Sequence, residues 1–187
     1  QPPDASHIYA LWETGNGTLC AGGAHPYGHG VVFRLVDDNW QSVGALSGVE
    51  AVYALSDDGG ILYAGVSTES GAGQVLRSSN NGASWESLPG LPASKAVRAL
   101  LNVSGTIYAG LDAGGGPYTT FVYKLPPGAE AWQPAGTLYM ADAVYGFLRT
   151  PSGAVYAASG DTYGVVFRAA SLGEMQIHLP LVSRNSP

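Results

Sequence analysis

One short segment comes back along this chain at a nearly constant interval. Ile8-Tyr9-Ala10-Leu11 returns as Val52-Tyr53-Ala54-Leu55, then as Val97-Arg98-Ala99-Leu100 and Val144-Tyr145-Gly146-Phe147, at offsets of 44, 45 and 47 residues. Self-similarity with a period in the forties restricts the fold more than any composition does, because each unit must be one supersecondary motif stacked on its neighbours. A second segment follows in each unit: Leu19-Cys20-Ala21-Gly22, Leu62-Tyr63-Ala64-Gly65, Ile107-Tyr108-Ala109-Gly110 and Val155-Tyr156-Ala157-Ala158. A third reads Val32-Phe33-Arg34, Val75-Leu76-Arg77, Val122-Tyr123-Lys124 and Val166-Phe167-Arg168. Trp40, Trp85 and Trp132 mark a fourth piece, with Met175 in the corresponding place.

These segments are short, rich in Val, Ile, Leu, Tyr and Phe, and punctuated by Gly, Asn, Asp or Ser, which is the pattern of strands and not of helices. Asp57-Asp58-Gly59-Gly60 and Val103-Ser104-Gly105 supply turn residues that tolerate positive φ, so the first and second strands form tight hairpins. Four antiparallel strands per unit and four units per chain predict an all-β fold, a β-propeller of four four-stranded antiparallel blades. The blades fall over 7–46, 50–91, 95–139 and 142–180 of a single domain spanning 1–187, with an extended tail over 181–187. Ala10, Ala54, Ala99 and Gly146 keep the innermost strands small where blades crowd together. Closure is left open, since a ring of four blades and half of a larger ring formed by dimerisation both fit the pattern.

Ser78-Ser79-Asn80-Asn81-Gly82-Ala83-Ser84-Trp85 resembles an Asp-box, the Ser/Thr-x-Asp-x-Gly-x-Thr-Trp hairpin of BNR or sialidase-type repeats, with Asn80 in place of the usual Asp. Such boxes occur in sialidases, in sortilin-like receptors and in a photosystem assembly factor. The resemblance implies a structural role for Ser78, Asn80, Gly82 and Trp85: a polar side chain bonding back to turn backbone, a glycine in a conformation others avoid, and a Trp plugged between blades. Sialidase chemistry, as the resemblance would imply it, needs three arginines around a carboxylate, a Tyr and Glu pair and an acidic Asp. Arg34, Arg77 and Arg168 repeat with the blade beside Lys124 and read as covers of its outer part, Arg184 lies in the tail, and only Arg98 and Arg149 remain. Tyr9, Tyr53 and Tyr145 recur in register and read as packing residues. The expectation is therefore a protein that does not catalyse.

With a net charge of −6 and 12% charged residues, half the usual fraction of about 25%, the chain has no positive surplus for nucleic acid, and its surface suits a covering partner. No run approaches the roughly 18 to 20 apolar residues of a bilayer-crossing helix, so no membrane insertion is expected. Cys20 stands alone and no disulfide or cofactor is implied. The start Gln1-Pro2-Pro3 reads as a mature end after signal cleavage, and the Leu179-Pro180-Leu181-Val182 run resembles the ends of some secreted bacterial proteins, so secretion is expected.

Loops between second and third strands gather on the face where propellers usually dock ligands. They carry His25, Tyr27, His29, Glu69, Asp112, Tyr118, Asp161 and Tyr163, aromatic and acidic groups able to stack on a sugar ring and bind its hydroxyls. His7, His25 and His29 fall on one face of the first blade, the minimum for a divalent transition metal, but Pro26 and Gly28 interrupt the loop and no Asp or Cys reinforces the set, so the reading is loop histidines without a metal. The reading is a secreted, non-enzymatic binding or assembly module of an extracellular or cell-surface structure, through a protein partner or self-assembly, with lectin-like glycan binding as the alternative and a sialidase-like hydrolase behind both. Spare ends, Gln1 to Ser6 and Ser183 to Pro187, are expected to add strands to a neighbour's exposed edge.

Overall fold

The structure, a computed structural model, describes residues 5–92, 94–114, 119–139, 141–160, 164–171 and 174–178. The described residues are all-β, in antiparallel meanders. The first unit holds β1 (His7–Glu13), β2 (Leu19–Ala24), β3 (Gly30–Val36) and β4 (Asn39–Leu46). The second holds β5 (Val49–Asp58), β6 (Ile61–Thr68), β7 (Gly73–Ser78) and β8 (Glu86–Ser87). The third holds β9 (Ala96–Val103), β10 (Thr106–Asp112), β11 (Thr119–Leu125) and β12 (Gln133–Tyr139), and the fourth β13 (Ala143–Arg149), β14 (Val155–Gly160), β15 (Gly164–Ser171) and β16 (Glu174–His178). Hairpin turns use the chemistry their geometry requires: Ser104 and Gly105 take φ of 51° and 81° between β9 and β10, and Asp37 and Asp38 take 48° and 61° between β3 and β4.

The first two units are separate four-stranded sheets, whereas the third and fourth join into one eight-stranded sheet curled as a half-barrel. Two single bridges make the join. Asp112 pairs with Ala143 at the end of β10, and Gly136 pairs with Met175 between the parallel outer strands β12 and β16. The outer edge of β12 is thus partly occupied from within the chain. The spare ends expected to add strands to a neighbour lie outside the described residues, apart from Ala5 and Ser6.

Sheets stack in chain order through one repeated contact. Gly22, Gly65 and Gly110 occupy the same place on the second strands, and a Cβ there would lie 2.6 Å from Val52 Cγ1, 2.8 Å from Val97 Cγ1 and 2.6 Å from Val144 Cβ respectively. Those valines, on the first strand of the following unit, are fully buried. Each glycine is therefore a socket and each valine the knob that enters it. Around these contacts lie the cores: Cys20, Val32, Leu55, Ala64 and Leu76 between units one and two, with Trp12 and Trp85 packed against them; Ala54, Tyr63, Val75, Leu100 and Trp132 between two and three; Ala99, Tyr108, Val122, Leu138 and Phe167 between three and four. Trp132 is 8% exposed and its indole N–H donates to the Pro89 carbonyl at 2.7 Å, across the junction.

Two substitutions test the stacking. Gly65→Val, which puts side chain where Val97 sits, should cost about 1 to 3 kcal/mol, and Trp132→Ala about 3 to 5 kcal/mol. Equilibrium urea unfolding reads both, and changes well below these values would mean that the sheets do not meet in this way.

Candidate functional site

Every first strand breaks its pairing at the same point. The register shifts between Ile8 and Ala10, between Val52 and Ala54, between Val144 and Gly146, and opposite Gly110 and Leu111, where Arg98 is passed over. A β-bulge leaves one residue out of the ladder and re-aims its side chain. The residues so released are Tyr9, Tyr53, Arg98 and Tyr145. Because the first strands lie side by side in the stack, the four bulges place these side chains in a row.

The row is in contact along its length. The Tyr9 and Tyr53 ring centroids are 4.8 Å apart, the Arg98 guanidinium carbon sits 4.5 Å over the Tyr53 ring and 5.9 Å from that of Tyr145, and His7 stacks on Tyr9 at 5.7 Å. Arg98 Nε donates to Asp112 Oδ2 at 2.7 Å, in an ion pair whose side chains are 30% and 17% exposed, and the Gly114 N–H donates to the other Asp112 oxygen at 2.8 Å. Nearby, Ser67 Oγ donates to Glu50 Oε2 at 3.0 Å. Burial alone lowers the Arg98 pKa, but the hydrogen bond and charge of Asp112, aided by Tyr53 and Tyr145, carry it above its ordinary value, so the guanidinium stays charged. The Tyr9 phenol is pushed up, first by burial and then by Tyr53 and Glu50 against the opposing pull of Arg98. Tyr9 and Tyr145 remain 46% and 55% exposed, so the row offers aromatic faces and polar hydrogen-bonding groups to solvent. Asp112 compensates the charge of Arg98 within the row.

The residues singled out from the sequence are only partly brought together. His25, Tyr27 and His29 form one turn after β2: the two imidazoles stack at 4.3 Å, Tyr27 tilts against His25 at 5.1 Å, and the His25 N–H donates to the His29 carbonyl at 2.8 Å. Tyr27 is 87% exposed. Glu69 lies apart on the β6–β7 turn, anchored by its N–H to the Gly48 carbonyl. Asp112, expected on a loop, is instead the last residue of β10 and belongs to the row through Arg98. Tyr118, Asp161 and Tyr163 lie outside the described residues. The histidines do not converge on a metal, because His7 turns to Tyr9, and among the described residues no group of three His, Cys, Asp or Glu could hold one. Tyr9, Tyr53, Tyr145 and Arg98 are the residues that sequence reading missed as a site. The available signal was the second position of each first-strand motif, which keeps a large side chain with a polar end in all four copies.

The Ser78–Trp85 hairpin is knotted by polar contacts. The Ser78 hydroxyl donates to Asn80 Oδ1 and accepts from the Gly82 N–H, both at 2.9 Å; Asn80 Oδ1 accepts from the Ser84 N–H at 2.9 Å, and Asn80 Nδ2 donates to Ser84 Oγ at 2.8 Å. Gly82 holds φ of 88° and its α-carbon faces Val43 of the preceding unit, where a Cβ would come within 2.9 Å. At the opposite end of the sheets from the row, a cleft of about 390 Å³ opens between units one and two, lined by Thr14, Asn16, Cys20, Arg34 and Asp57 among others. Cys20 stands where the other units carry Tyr63, Tyr108 and Tyr156, which leaves space. Arg34, expected to keep its head in water, has its Nε buried there without a partner.

No protein-family model and no curated protein matches this chain.

The buried groups set a pH dependence. Burial first of all raises the phenols of Tyr63 and Tyr108 and the Cys20 thiol, so the folded chain keeps protons that the unfolded chain releases at about pH 8.5 for Cys and about pH 10 for Tyr. The unfolded state then binds fewer protons, and stability falls as pH rises through that window. Urea midpoints should be level across neutral pH and drop above about pH 9 to 10; a midpoint that rises there would contradict the burial of these groups.

Proposed function

We propose that this chain is a non-catalytic β-propeller of Asp-box type, secreted, whose four units are blades about a common axis and whose ligand is a glycan held by the row of Tyr9, Tyr53, Arg98 and Tyr145. The row carries the reading: four bulges at equivalent positions aim stacked aromatic rings and a fixed guanidinium at one place, which is what a sugar ring requires, apolar CH faces on Tyr and hydroxyls on the charged pair. The stacking of each first strand on the next supports the blade arrangement, and the Ser78–Trp85 hairpin, with Trp85 packed towards the preceding unit, supports the Asp-box resemblance. Docking onto a larger extracellular or cell-surface structure follows if that surface is glycosylated.

Catalysis is not part of the proposal. Glycoside hydrolysis asks for two carboxyl groups flanking the bond, free to act as acid and as base or nucleophile. Asp112 is taken up by Arg98 and the Gly114 N–H, and Glu50 accepts from Ser67. Arg98 is a single guanidinium in the row, where sialidase-type chemistry would need three. No cofactor or metal is invoked.

Neutral and uronate-containing oligosaccharides titrated by calorimetry test the reading. Arg98→Lys should weaken binding about tenfold or more, the loss of roughly 1.5 to 3 kcal/mol expected for a hydrogen bond to a charged group, and Tyr9→Ala about three- to tenfold, the loss of a stacking face. Tyr27→Ala, on the separate histidine turn, should change it less than about twofold. Absence of binding to every oligosaccharide at millimolar concentration, or equal sensitivity to Tyr27→Ala, retires the row as a glycan site.

A further inference from the structure

The same columns of residues run through all four units and are covered everywhere except at the two ends of the stack. On the face that each unit turns to its successor, Val32, Val75 and Val122 are 0% exposed, whereas Val166 is 43%. Beside it, Leu101 is half-buried but Leu148 is 62% exposed, and the socket position, buried as Gly22, Gly65 and Gly110, is exposed as Ala158. The reverse face shows the complement: Leu55 and Leu100 are 6% and 7% exposed while Leu11 is 72%, and Leu62, Ile107 and Val155 are 6%, 3% and 2% while Leu19 is 41%. Ile8, in the knob position of Val52, Val97 and Val144, is 38% exposed. These equivalences follow from strand register, in which Ala10–Gly22–Val32, Ala54–Gly65–Val75, Ala99–Gly110–Val122 and Gly146–Ala158–Val166 are aligned sets.

We infer that the chain associates head to tail with a second copy of itself, the Ile8, Leu11 and Leu19 face of one copy seated on the Leu148, Ala158 and Val166 face of the next. A contiguous apolar face marks a surface that is covered in use. The three junctions inside the chain say what covers it, because each of the two open faces is, one unit away, covered by the other. The register also places Glu13 in the position of Asp57 and Arg168 in that of Arg34, so the two open faces carry charges of opposite sign.

Covering by the same chain is disfavoured on two counts. Among the described elements, the fourth unit does not pack extensively on the first, although every consecutive pair does. The knob and socket are also larger, Ile8 for Val and Ala158 for Gly, where inside the chain a Cβ on the socket already falls 2.6 Å from a valine carbon. A junction between copies has no peptide link to hold it at that spacing and takes the wider one. Contact between two different faces is heterologous, so copies close into a ring or run on as a series. The faces used are not those of the Tyr and Arg row, and the inference stands whether or not a glycan binds there.

Light scattering coupled to size-exclusion chromatography of the full chain, at low and high micromolar concentration, tests it. The wild type should be a dimer or larger, and Leu11→Asp and Leu148→Asp should each be monomeric, because every junction uses both faces. Mixing the two variants should restore a one-to-one dimer that grows no further, since one copy keeps an intact head and the other an intact tail. Both positions are exposed within one chain, so the circular dichroism spectra should match wild type; Leu19→Lys and Val166→Lys form a second pair should either variant unfold. A wild type that stays monomeric at high micromolar concentration, a single variant that still associates, or a mixture that stays monomeric overturns the inference.

Discussion

Everything in this fold depends on how closely one sheet can approach the next, and that distance is set by a missing side chain. Where Gly22, Gly65 and Gly110 present bare backbone, Val52, Val97 and Val144 enter and are fully buried. Dispersion and apolar burial fall off over fractions of an ångström, so one methyl in the socket would part the sheets and loosen the cores on either side. The alanines beside the sockets, Ala54 and Ala99, serve the same end. The close approach then brings the first strands side by side, and without it the bulged residues would be four isolated side chains.

The polar chemistry follows from that packing. A guanidinium in the third unit can reach aromatic rings of the second and fourth only because three first strands run together, and Asp112 keeps it from sampling other rotamers. Preorganisation of this kind lowers the entropy lost when a ligand binds. The row is rigid at its centre, where Arg98 and Tyr53 are half-buried, and open at Tyr9 and Tyr145.

The repeat made the strands legible, since alternation and turn residues are local signals, and Asp37-Asp38 or Ser104-Gly105 announce their hairpins without tertiary help. The site was not legible in the same way. A bulge is a mismatch between two strands, so the exit of Tyr9 or Arg98 from the alternation depends on partners about twelve or more residues away, and by alternation alone each reads as an ordinary face residue. Asp112 was chosen as a loop carboxylate and reached the row only because β10 runs one turn-residue further than its apolar segment suggests. The union of the third and fourth units was invisible because it rests on two single backbone bridges, which no side chain encodes.

That union divides the molecule into mechanically unequal parts. The first two sheets share no strand pairing with their neighbours, so either can slide or open at the cost of packing. The last eight strands share backbone hydrogen bonds across what is elsewhere a plain packing junction, and their amides are tied into one network. In amide exchange such a network opens as a single cooperative unit, while the sheets held by packing open separately and sooner. A chain of four similar repeats thereby acquires a polarity that its sequence period does not have: a stiff half that keeps its shape, and a half that can yield around it.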